Sequence, residues 1–194
     1  MNTGNEVQVQ EMSENIRKWL KEKNGLVVGI DGYSGVGKTT LLRYLVKKDN
    51  FIQPVFMDDF VSTVNTKELL LPQIEVNSPK LDLQWAPLDG LKKLRKVIAD
   101  FKLRELGNKA LVVEGIFLFH PNVLNDVWDK RIYLDISKEK ADTRRIIREK
   151  ERWGEKYFPE THPDSFARLF KIAHKRYEEL YQPKKHSDLI IQMN

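Results

Sequence analysis

An apolar run at residues 26–30 meets a glycine-rich turn, Gly32-Tyr33-Ser34-Gly35-Val36-Gly37-Lys38-Thr39-Thr40. The turn gives way to Leu41, Leu42 and Leu45 at helical spacing. This is the G-x-x-x-x-G-K-[ST] pattern in the context it requires, after a strand and before a helix. The spacing has a physical reason. Glycines let successive backbone N–H groups turn toward one point, and the following helix presents its positive end there, so the whole forms a cradle for a polyphosphate. In such a cradle Gly32, Ser34, Gly35, Val36, Gly37, Lys38, Thr39 and Thr40 surround the phosphates. Lys38 reaches the outer phosphates, and the Thr39 hydroxyl is placed for Mg²⁺.

Around this loop the chain alternates between two periodicities. Residues 11–23 carry Met12, Ile16, Trp19 and Leu20 on one helical face, so residues 1–24 read as an N-terminal helix covering the sheet. Residues 51–57 read as a short strand in which Pro54 argues for an edge position or a late start, and Asp58-Asp59-Phe60 follow it. Residues 61–79 have no strong period. From Pro87 a helix is expected to about residue 106, stopped by Gly107-Asn108. Residues 110–113 are continuously apolar, as in a strand buried on both faces. A short helical piece is expected at 123–128, a strand at 131–135 and a helix at 138–152 with Ser137 as its N-cap. Beyond the break at Gly154, Pro159 and Pro163, a helix runs from about Phe166 to Leu180. A last strand covers 188–192. Alternating strands and helices of this kind predict a single α/β domain, a parallel five-stranded sheet flanked by helices.

Composition narrows the function classes. The 194 residues are 41% hydrophobic and include no cysteine, which removes disulfides, thiol catalysis and cysteine-based zinc sites. No apolar run approaches the roughly 20 residues that a membrane-spanning helix needs. The first residues carry neither a secretory nor a transit pattern, so a cytoplasmic protein is expected. The net charge of +5 is dispersed rather than gathered into a stripe, which argues against nucleic acid as a partner. A small-molecule substrate is expected, and self-association is left open. His120, His162, His174 and His186 show no metal-ligand spacing.

In an open parallel sheet, ligands gather at the C-terminal strand ends. Asp31, Asp58, Asp59 and Glu114 fall there. Asp31 is expected to brace the loop, the ordinary work of a strand-end carboxylate. Asp58 and Glu114 admit a sharper reading, because phosphoryl transfer to an alcohol needs a carboxylate to take the hydroxyl proton and oxygen ligands for Mg²⁺. On the 138–152 helix, Arg145, Arg148 and Arg152 share a face, with Arg144 beside it. A solvated charged face is the common explanation. The Ile146-Ile147 pair is expected to hold the opposite face inward, and the broken segment follows at once, so residues 144–162 are expected to form a lid that aims arginines at a transferring phosphate.

The set GIDGYSGVGKTT, FMDDF, LVVEGIFLF, DTRRIIREKERWG and YQPKKHSDLII, in this order, resembles the uridine kinase family, which groups with nicotinamide riboside kinase and phosphoribulokinase. The resemblance runs from about Leu26 to Ile191 and implies a three-layer P-loop NTPase fold with ATP and Mg²⁺ as cofactors. Position by position, it implies that Asp58 is the general base on the acceptor hydroxyl. Glu114 would belong to the magnesium and catalytic centre, and Arg145 and Arg148 would be the lid pair that clamps phosphates. Asp82 would hold acceptor ribose hydroxyls. Met57, Glu149 and Ser187 depart from the residues usual in the family at those positions.

The expected activity is therefore ATP- and Mg²⁺-dependent phosphorylation of a small-molecule hydroxyl, foremost a nucleoside 5′-hydroxyl. A kinase for another alcohol, such as pantothenate, a vitamin riboside or a sugar phosphate, is the first alternative. A non-metabolic P-loop ATPase or switch is the second, although the Asn-Lys-x-Asp guanine signature of a GTP switch is absent.

Overall fold

The structure, a computed structural model, describes residues 5–61, 88–104, 107–121, 124–162 and 165–194. Asp82 lies outside the described residues, as do the other residues from 62 to 87.

Five strands, β1 (Leu26–Gly32), β2 (Ile52–Phe56), β3 (Ala110–Glu114), β4 (Lys130–Asp135) and β5 (Leu189–Gln192), form one sheet in the order β2-β3-β1-β4-β5. Every pairing is parallel. The helices are α1 (Glu6–Glu22), α2 (Lys38–Lys48), α3 (Asp58–Val61), α4 (Leu88–Leu103), α5 (Lys138–Trp153) and α6 (Phe166–Tyr181). The central strands β1 and β3 are buried along their whole length, which is why they read as unbroken apolar runs rather than as alternation.

Pro54 pairs in register with Val112 on the edge strand β2, exposed and with no N–H to leave unpaired. Helix α1 starts earlier than its apolar spacing indicated. Its Met12, Ile16, Trp19 and Leu20 are buried, and it packs on α2 and β5.

Two expectations need correction. Residues 124–128 form turns, not a helix. There the Asn125 carbonyl and its side-chain oxygen both accept from Arg131, at 2.9 and 2.7 Å, so that carbonyl is engaged by a guanidinium instead of a helical N–H. The second concerns α5. Its buried residues are Ala141, Arg145 and Glu149, whereas Ile147 is 54% exposed. The helix is rotated so that a charged stripe faces inward.

Candidate active site

Parallel pairing brings the C-terminal ends of β1, β3 and β2 side by side. Ile30 is in register with Glu114, and Phe56 also pairs with Glu114. Backbone bonds tie these ends together, with Gly115 N donating to the Ile30 carbonyl at 3.1 Å and Met57 N to the Glu114 carbonyl at 2.9 Å. The strand order reverses about β1, so this is the switch point at which an open α/β sheet leaves a crevice.

The loop crosses from β1 to α2 at this point. Gly32, Gly35 and Gly37 all have positive φ. At Gly35 the backbone has φ +88°, and a Cβ would lie 2.2 Å from the Ala141 carbonyl oxygen of α5, so only glycine lets the loop and α5 approach this closely. Gly37 caps α2, and no side chain bonds to that helix end. The first-turn amides of Lys38, Thr39 and Thr40 thus lack a side-chain cap and form an anion-favouring terminus. The Lys38 ammonium is buried and donates to the carbonyls of Gly32 (2.8 Å) and Tyr33 (3.1 Å). Val36 is buried, Ser34 is half-buried and Thr40 is exposed.

Thr39 Oγ1 donates to Glu114 Oε1 at 2.9 Å, so the first hydroxyl of α2 and the terminal carboxylate of β3 meet directly. Burial pushes the Glu114 carboxyl above its usual pKa, opposed first by the charge of Lys38 and then by the Thr39 bond. Burial likewise pushes the Lys38 ammonium below its usual pKa, opposed by Glu114, Asp31 and Asp58. Each group is driven toward its uncharged form by desolvation and held back by its neighbour. A hydroxyl and a carboxylate are hard oxygen donors of the kind Mg²⁺ takes. No group of three or more His, Cys, Asp or Glu residues that could hold a metal occurs among the described residues.

Asp31 faces the back of the loop and is fully buried. One oxygen accepts from Gly32 N at 2.7 Å. The other accepts from Phe119 N at 3.2 Å and from the Tyr177 hydroxyl of α6 at 2.5 Å. Burial raises its pKa, while Tyr177, Lys38 and the two amides work against that rise. Asp58 and Asp59 open α3 just beyond β2 and are solvent-exposed.

The two expected lid arginines part company. Arg148 donates to Ser34 Oγ of the loop at 3.1 Å. Arg145, expected beside it, is 1% exposed and pairs with Asp142 (3.0 Å) and Glu149 (3.2 Å) inside the fold. An i,i+3 and i,i+4 pair of acids around one arginine satisfies it locally, and its aromatic neighbour Phe170 closes the other side. The same spacing visible in the sequence, Asp142 and Glu149 flanking Arg145, was the signal that could have assigned it there. Tyr177 and Lys171 of α6 also join the loop's surroundings, and Tyr33 of the loop turns its hydroxyl to Asp142; nothing in the sequence marked these contacts, because the partners are distant along the chain.

A glycine-rich loop between the first strand and helix of a parallel five-stranded sheet, with a hydroxyl and a carboxylate meeting at its mouth, defines a three-layer α/β P-loop protein. No protein-family profile matches the chain. It is similar to the phosphoribulokinase of Synechocystis, 24% identical over 182 residues, which covers 87% of this chain and 53% of that protein. The chain thus spans about half the length of that relative. It is also similar to the uridine kinase of Ureaplasma parvum, 27% identical over 148 residues, covering 67% of this chain and 72% of that protein. With the uridine kinase of Staphylococcus epidermidis it shares 24% identity over 194 residues, covering 85% and 86%. A solved structure described as a possible uridine kinase from Bacillus stearothermophilus superposes with a TM-score of 0.55 at 17% identity, covering 93% of this chain and 99% of that one. That superposition establishes the shared fold. Together these comparisons make the chain similar in sequence to uridine kinases and a phosphoribulokinase, and similar in fold to a possible uridine kinase. Among the described residues no helix is long and apolar enough to cross a membrane.

Proposed function

We propose that this chain transfers the γ-phosphoryl group of ATP to a small-molecule hydroxyl, the 5′-hydroxyl of a nucleoside. The observation that carries the reading is the 2.9 Å contact between Thr39 Oγ1 and Glu114 Oε1 beside the buried Lys38, at the uncapped start of α2. The loop amides and Lys38 hold the donor phosphates. Thr39 and Glu114 would hold Mg²⁺, which when bound neutralises charge that develops on the phosphate oxygens. Asp58, exposed at the head of α3, takes the proton of the acceptor hydroxyl as its oxygen forms the bond to phosphorus and the bond to the ADP oxygen breaks. Arg148, already on Ser34, lies on the donor side of the loop and supplies positive charge there. Asp82 is the acceptor-ribose residue in this reading.

The match to phosphoribulokinase along 87% of the chain favours a second reading, with a sugar phosphate as acceptor. A thermal-stabilisation screen separates the two. With a non-hydrolysable ATP analogue present, a nucleoside should raise the melting temperature further, because a ligand that binds only the native state stabilises it. Stabilisation by sugar phosphates and by no nucleoside would replace the first reading with the second.

A further inference from the structure

Behind the loop, one carboxylate gathers ties from three elements. The Tyr33 hydroxyl of the loop donates to Asp142 Oδ1 at 3.1 Å. Arg145 of α5 donates to the same oxygen at 3.0 Å, and Lys171 of α6 lies 2.8 Å from Oδ2. Lys171 also holds Glu160 at 2.6 Å, in the irregular segment after α5. The Tyr33 ring is fixed edge-on against Phe170 and His174, with centroids 5.4 and 4.4 Å away, so its hydroxyl has one direction to point. The contact of Gly35 with the Ala141 carbonyl brings the backbone next to Asp142 onto the loop as well.

Charge bookkeeping fits a built connection. Burial alone would raise the Asp142 pKa, but Lys171 and Arg145 bring it below its usual value, so it stays a charged acceptor. Burial and the nearby Asp142 raise the Tyr33 pKa, so the phenol keeps the proton it donates.

We propose that Asp142 is a positioning residue that couples the phosphate loop to the 154–162 segment, through Tyr33 on one side and Lys171–Glu160 on the other. A polyphosphate that fixes the loop then fixes Tyr33, Asp142 and Lys171 in turn, and holds Glu160 where the segment closes over the site. This proposal rests on the reading of the loop as the donor site. The lid is redefined by it. The start of α5 is docked on the loop, and the part that responds begins at Gly154, where φ is +54°.

The test uses Tyr33→Phe, which keeps the buried ring and removes only the hydroxyl, together with Lys171→Met and the double variant. Binding of a non-hydrolysable ATP analogue is measured by calorimetry, amide hydrogen exchange is followed at 154–162, and ATP-dependent turnover is assayed. Loss of one such hydrogen bond should reduce nucleotide-induced protection of 154–162 by roughly 3- to 10-fold and lower kcat by a similar factor. KM for ATP should stay within about 2-fold, since no phosphate contact is touched. The double variant should be no worse than Lys171→Met alone, because both cut one chain of contacts. Full protection and unchanged kcat in Tyr33→Phe, or additive losses in the double variant, would overturn the coupling. Failure of the wild-type chain to bind the analogue would instead overturn the donor-site reading on which the coupling rests.

Discussion

At the residue scale, burial separates the two arginines of α5, one holding the fold and the other facing the phosphate loop. Arg145 and Arg148 lie one helical turn apart, yet one is enclosed by Asp142 and Glu149 while the other reaches Ser34. Removing one partner from a buried ion pair leaves the others uncompensated. Arg145→Met should therefore lower the unfolding free energy by roughly 3 kcal/mol in urea titration. Arg148→Met should change it by less than about 0.5 kcal/mol and reduce phosphoryl transfer instead. Equal stability losses would show that the two arginines do the same work.

His174 gives a second residue-scale prediction. It is 1% exposed, and burial, aided by Lys38 and Lys138 and opposed by Asp142, lowers its pKa from 6.5 to about 3 even though Glu178 Oε1 lies 3.5 Å from Nδ1. Between those two values the unfolded chain binds a proton that the folded chain refuses, so stability rises with pH there. The contribution is complete above the unfolded value and is lost as pH falls below it. Melting temperatures recorded from pH 7 to pH 4 should decline for the wild type and decline less steeply for His174→Leu. Parallel declines would mean that His174 accepts a proton in the folded state.

At the element scale, the loop is held from behind as firmly as it is shaped from within. Asp31 receives Gly32 N, Phe119 N and the Tyr177 hydroxyl, and α5 backs onto Gly35. Gly35→Ala would press a methyl group into the Ala141 carbonyl and require a positive φ of alanine. It should cost about 2 kcal/mol or more of stability and weaken ATP binding. Unchanged affinity would show that the loop and α5 can separate freely. The same element shows where sequence reasoning reaches its limit. β1, the loop and α2 were legible because apolar run, glycines and helical leucines are contiguous, and Asp31 as a brace followed from its place. The inward face of α5 was misread because Ile146 and Ile147 look like a core pair, whereas the buried stripe is Ala141, Arg145 and Glu149, satisfied by its own ion pairs. The turn at 124–128 was missed because its cause, Arg131 on Asn125, comes from a neighbouring strand.

At the scale of the whole molecule, the parallel five-stranded sheet was readable from the alternation of strand and helix, whereas its order, with β3 between β1 and β2, was not. That order sets Glu114 beside the loop, 75 residues from Thr39, a meeting which no local pattern could show. In the proposed reaction these groups together move a phosphoryl group from ATP to an alcohol. The most direct measurement follows the label from γ-labelled ATP with uridine present, in the wild type and in Asp58→Asn. The wild type should place label in uridine 5′-phosphate, and the variant, which should still bind ATP, should place none there. Release of the label as inorganic phosphate at a rate indifferent to any nucleoside, sugar phosphate or vitamin riboside would contradict that reaction.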